Sequence, residues 1–155
     1  MFDPTHGVSY RVVESALNLE QTHASLLIDQ LGSVRVVQPA HERDPHGLPV
    51  IIEEDVEQRL VRALRLAGKV LDRIDPVRRL SHVAPVVAVV GGAYLGWRTR
   101  EEHARNPQSV EMPMGLGDQV VRHLAPAVRP RPSLTHEAPR LAQDFVVLLR
   151  RAYRR

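Results

Sequence analysis

The chain of 155 residues contains no cysteine. Disulfides, thiolate metal sites, iron–sulfur ligation and cysteine nucleophiles are therefore excluded, and a reducing compartment, the cytoplasm, is the expected location. Aromatic residues are nearly as scarce, at 4% with a single Trp. Any core must be built from Val, Leu, Ile and Ala, and few rings are left on which nucleic-acid bases could stack. Lysine is reduced to Lys69, the remaining 20 of the 21 basic side chains being arginine. The arginine fork suits bidentate anions, but GC-rich coding produces the same skew, so arginine content alone assigns no ligand.

Long hydrophobic runs are also missing. The longest, Val83–Trp97, has 15 residues and includes Pro85 and Gly91–Gly92, short of the roughly 20 that a membrane-spanning helix needs. No membrane span is expected. Met1–Tyr10 has no basic stretch leading into an apolar one, so no signal peptide is expected either. No G-x-G-x-x-G, P-loop or G-x-S-x-G motif occurs.

What is present is 43% hydrophobic residues and a formal charge of +3, enough for one domain with a real core. The charge is unevenly distributed. Residues 1–57 hold three arginines against ten carboxylates, and residues 58–155 hold 18 basic against eight acidic side chains. Such polarity favours either attraction between copies or internal neutralisation on folding.

The clearest element is an amphipathic helix over Glu53–Ile74. At about 100° per residue, Val56, Leu60, Ala63, Leu64, Ala67, Val70, Leu71 and Ile74 share one side, and Arg59, Arg62, Arg65, Lys69 and Arg73 the other. Glu53, Glu54, Asp55 and Glu57 oppose the helix dipole at its start, and Asp75–Pro76 should end it. A first helix is predicted over Ser9–Leu31, stopped by Gly32, with a second apolar stripe of Val12, Leu19 and Leu26 at seven-residue spacing. Ser33–Gln38 and Leu48–Ile52 read as strands that pair around a polar loop. Val83–Val90 reads as a central strand covered on both faces, irregular at Pro85, followed by a Gly91–Gly92 hairpin into Ala93–Trp97. Thr99 and Glu102 match a capping box before a short helix ended by Asn106–Pro107. A strand over Val110–Met114, a helix over Gln119–Ala125 capped by Asp118, and a last helix from Thr135 or His136 to Tyr153 complete the chain.

These elements predict a single compact α+β domain over 1–155. Its small mixed or antiparallel sheet of three to five strands would carry three main helices mostly on one face. An extended Pro/Arg-rich connection over 126–134 would precede the C-terminal helix. An open α/β layer with helices on both faces is the second choice.

Chemistry finds little support. His41, Glu42, Asp44 and His46 lie in one loop, but they lack the H-x-x-x-H spacing of a helical zinc site, and Arg43 opposes a cation. Ser81 and His82 are neighbours on a strand and should face opposite ways. No catalytic residue, cofactor or metal is assigned. The expected function is a non-enzymatic protein-interaction or adaptor domain that associates with itself or a protein partner through Val12, Leu19 and Leu26. The alternative is nucleic-acid binding through Arg59, Arg62, Arg65, Lys69, Arg73, Arg78 and Arg79. A small hydrolase gathering His82 or His123 with distant carboxylates comes third.

Overall fold

The computed structural model describes residues 8–13, 23–29, 32–40, 50–90, 95–107 and 119–153. They form nine strands and four helices, an α+β fold. In chain order these are β1 (Val8–Val13), β2 (His23–Ile28), β3 (Val34–Val37), β4 (Val50–Ile52), α1 (Glu53–Ile74), β5 (His82–Val83), β6 (Val86–Val90), β7 (Gly96–Arg98), α2 (Arg100–Arg105), β8 (Gln119–His123), β9 (Arg129–Pro130), α3 (Ser133–His136) and α4 (Ala138–Tyr153).

The expected single sheet is instead four small ones: an antiparallel meander β1-β2-β3, a parallel pair β4-β7, and antiparallel pairs β5-β9 and β6-β8. The core sits between α1, α4 and the strands. Leu64 and Leu71 of α1 meet Leu134, Ala138, Leu141, Ala142 and Phe145 in one cluster, and Ile51, Val56, Val89, Trp97, Val120, Val146 and Leu149 form a second. Leu60 and Val87 pack against both clusters. Each fully buried aliphatic or aromatic side chain contributes about 1.5–3 kcal/mol, so these two clusters hold the described chain together.

Helix α1 has the predicted bounds, because its apolar side is continuous and Pro76 blocks its extension. Buried Gly68 lies where α3 crosses it. A Cβ there would stand 2.6 Å from the Thr135 hydroxyl oxygen and 3.4 Å from Leu134 Cβ, so the missing side chain is what allows the two helices to approach. Helix α2 carries the predicted capping box, with Glu102 N donating to Thr99 Oγ1 at 3.1 Å and Thr99 N to Glu102 Oε2 at 2.8 Å. Helix α4 buries Ala138, Leu141, Ala142, Phe145, Val146, Leu149, Ala152 and Tyr153 at helical spacing.

Several expectations are corrected. The helix over Ser9–Leu31 is replaced by β1 and β2, paired antiparallel from Val8 opposite Ile28 to Val13 opposite His23. VSYRVV is rich in β-branched residues, and cross-strand pairing outweighs a weak helical periodicity. Gly32, at φ 84°, closes the turn from β2 into β3, where Asp29 Oδ1 accepts from Ser33 N at 2.9 Å. β3 therefore pairs with β2, while β4 pairs with β7 rather than closing a hairpin with β3.

The Val83–Val90 run is likewise not a two-sided central strand. It breaks at Ala84–Pro85 into β5 and β6, and β6 pairs only with β8 among the described residues. Gln119–His123, expected to be helical, is β8; its adjacent valines suit a strand and find a partner in β6. The 126–134 connection is extended only at β9, Arg129–Pro130; Arg131 and Pro132 form a turn, and α3 begins at Ser133. The predicted strand over Val110–Met114, the Gly91–Gly92 turn and the histidine loop at 41–46 lie outside the described residues.

Candidate interaction surfaces

The carboxylates at the start of α1 have partners across the fold. Glu53 Oε2 accepts from the Trp97 indole N–H at 2.8 Å, and Glu53 Oε1 lies 3.4 Å from the Arg150 guanidinium. Glu54 Oε2 accepts from Arg100 N at 2.9 Å, and Asp55 pairs with the Arg100 guanidinium. These contacts tie α1 to β7, α2 and α4. They also account for this acidic cluster without a catalytic role.

The C-terminal end of α1 is built the same way. Arg131, only 3% exposed, reaches Asp75 Oδ2 at 2.8 Å and Asp72 Oδ1 at 3.3 Å, while its own backbone N–H donates to Ser81 O at 2.8 Å. Asp75 also accepts from Leu80 N at 2.8 Å and Arg79 N at 3.1 Å. The Leu80 amide, then the Arg79 amide and the Arg131 guanidinium, hold the Asp75 carboxyl below its ordinary value of 3.8, against an opposing push from desolvation. The aspartate thereby pins the loop that carries Arg78 and Arg79, in which Arg78 adopts φ 55°.

The predicted cation row divides in two. Arg59 is half-buried and donates to Pro39 O, while Gln38 Nε2 donates to Arg59 O at 3.4 Å, so this arginine braces the segment after β3. Arg62, Arg65, Lys69, Arg73, Arg78 and Arg79 are exposed, and among the described residues none of their side chains has a hydrogen bond or ion pair. On α1 the exposed cations share an arc of about 80° on the side away from Leu64 and Leu71. Between Arg62 and Arg73 the helix has a single carboxylate, Asp72, and Arg131 holds it.

A second surface lies where the sequence pattern alone does not place one. β6 and β8 pair in register with Val86 opposite His123, Ala88 opposite Val121 and Val90 opposite Gln119. Val89 and Val120 face the core, and the alternation leaves Val86 59%, Val90 72% and Val121 42% exposed beside an exposed Ala88. The outer face of this pair is thus apolar at its centre and carries no carboxylate or ammonium. The signal is present in the sequence, since VVAVV must turn alternate valines outward if only one face is covered. An expectation of cover on both faces hides it.

The predicted stripe is not a helical feature. Val12 lies on β1 opposite Ala24, Leu26 on β2 opposite Tyr10 and Val36, and Leu19 is outside the described residues. Leu26 is half-buried, and strand alternation puts it on the same sheet face as Val34, which packs against the cluster around Phe145.

Catalytic arrangements gain little. Ser81 Oγ and His82 Nδ1 do meet, at 3.0 Å, because Ser81 precedes β5 and escapes the strand alternation. Both are exposed, and no carboxylate orients the imidazole among the described residues. No group of three or more metal-ligating side chains occurs among the described residues. A shallow groove of about 270 Å³ beside Arg129 and Asp144 is smaller than the ~300–1,000 Å³ of typical ligand pockets. Burial raises the Tyr153 hydroxyl to about 12, so it stays protonated against Trp97, with ring centroids 5.4 Å apart.

None of the described helices is long and apolar enough to cross a membrane. No family model matches the chain, and comparison with curated proteins and with solved structures finds no match.

Proposed function

We propose that this protein is a non-enzymatic interaction domain of the cytoplasm that associates with itself. The observation that carries the reading is the outer face of β6–β8, where Val86, Ala88, Val90 and Val121 are turned to solvent on a sheet of two strands among the described residues. A two-stranded sheet is marginal by itself, and an uncharged edge strand with exposed valines is a ready partner for another strand or sheet. A second copy fits this surface because the same apolar patch is presented by both molecules, the condition for a two-fold interface. The surface differs from the Val12, Leu19 and Leu26 stripe, but the class of function is the same.

The test is the oligomeric state. Sedimentation equilibrium at about 100 μM is expected to show a dimer, and Val90→Asp to give a monomer with an unchanged circular dichroism spectrum. Val90 is 72% exposed, so the substitution leaves the core intact. A wild-type protein that stays monomeric at that concentration overturns the reading.

A further inference from the structure

The cations of α1 make a second surface, independent of the β6–β8 face. We infer that Arg62, Arg65, Lys69 and Arg73, continued by Arg78 and Arg79, bind the phosphate backbone of double-stranded DNA without regard to sequence. Arg59, Arg98, Arg100, Arg105, Arg122, Arg131 and Arg150 each have a protein partner, whereas the cationic side chains of 62–79 have none among the described residues. Arg131 pairs with Asp75 and also contacts the 59% exposed Asp72, so between Arg62 and Arg73 four cations stand against one partly neutralised carboxylate. From Arg62 to Arg73 the row runs about 17 Å along the helix axis, the length of roughly five base pairs of a duplex at 3.4 Å each.

Physical chemistry selects among anionic partners. A membrane surface requires the apolar side of the helix to be free for insertion, and here Val56, Leu64 and Leu71 are buried in the core. A single strand is held largely by stacking on aromatic rings, and residues 58–80 contain none. Protein interfaces rely on aromatic anchors at their centre, and the exposed large hydrophobes along this row, Leu66, Ile74, Val77 and Leu80, are all aliphatic. Double-stranded RNA has a deep, narrow major groove closed to a helix, whereas the major groove of B-form DNA is about as wide as a helix. The exposed arc offers forked and point cations for phosphates. Contacts to phosphate fix position on the duplex and carry no sequence information, hence the indifference to sequence.

The experiment is fluorescence anisotropy of the full chain with a labelled 20-base-pair DNA duplex at 50–300 mM salt. The competitors are single-stranded DNA, duplex RNA, polyglutamate and phosphatidylserine vesicles. Micromolar affinity for the duplex is expected at the lowest salt, at least tenfold tighter than for any competitor and equal for AT-rich and GC-rich sequences. The slope of log K on log salt should lie between about −3.5 and −5.5, from neutralisation of about four to six phosphates. The double variant Arg65→Glu, Lys69→Glu should bind at least 20-fold more weakly, with a slope shallower by about two and an unchanged melting curve. Val90→Asp should bind like the wild type apart from any avidity of the dimer. The inference is overturned if the duplex does not bind at 50 mM salt. It is also overturned if any competitor binds as tightly, or if the double variant binds like the wild type.

Discussion

The acidic and basic groups of α1 behave in opposite ways. Glu53, Glu54, Asp55, Asp72 and Asp75 are held by Trp97, Arg100, Arg150 and Arg131, and through them the helix is joined to β7, α2, α4 and the segment before α3. The side chains of Arg62, Arg65, Lys69 and Arg73 hold nothing among the described residues. Apart from Glu57, which has no partner among the described residues, and Arg59, which donates to Pro39 O, the helix uses its negative charge to assemble the fold and leaves its positive charge outside. The polarity read along the chain is partly cancelled by folding, and four of the cations that keep their charge free share one exposed arc of α1. A charge that the fold uses is visible in its partners; a charge available to a ligand is visible in their absence.

The largest effect is expected at Arg131. Arg131→Met should lower the thermal midpoint by roughly 5–10 °C, because it leaves the carboxylates at the end of α1 without their cation; a shift below about 2 °C in a calorimetric scan would place Arg131 outside the structural set. Next comes Glu53. Glu53→Ala removes the acceptor of the Trp97 indole N–H and should cost about 2 kcal/mol in urea denaturation. Glu53→Gln keeps an acceptor there and should recover about half of that loss. Equal losses in both variants would mean that the Arg150 charge, not the indole bond, is what Glu53 supplies.

The smallest effect is the acid response of Asp75. Its folded-state carboxyl lies below 3.8, so around that pH the unfolded chain binds more protons than the folded one. The contribution is present above pH 3.8 and is lost as pH falls through the folded value. Asp75→Asn should therefore be less stable than the wild type at pH 7, with the gap narrowing below about pH 4. A gap that widens in acid would reverse the sign assigned to this group.

Part of this architecture is legible in the amino-acid sequence alone. The bounds of α1, the Thr99–Glu102 box and the packing side of α4 are local patterns, and local patterns survive folding when the tertiary contacts agree with them. The basic side of α1 is legible for the same reason, although the diversion of Arg59 to Pro39 O is not. β1, β2 and β8 escape such a reading because short apolar segments fit a helix or a strand about equally well until a partner is known. Val120 and Val121 are a strand because β6 lies beside them, and nothing within the segment itself announces that.

The sequence by itself determined the class of the molecule: a cysteine-free α+β chain with an aliphatic core, its strongest helix acidic at the start and basic along its outer side. Those properties belong to composition and to near neighbours in the chain. Only the tertiary structure decided which charges are neutralised and which valines meet solvent. Arg131 reaches Asp75 from 56 residues away, and Val86 and Val90 are exposed while Val89 is buried. The exposure of Val86 and Val90 follows from the core covering only the Val89 face of β6, and both outcomes depend on contacts between distant segments, which a pattern read along the chain does not contain.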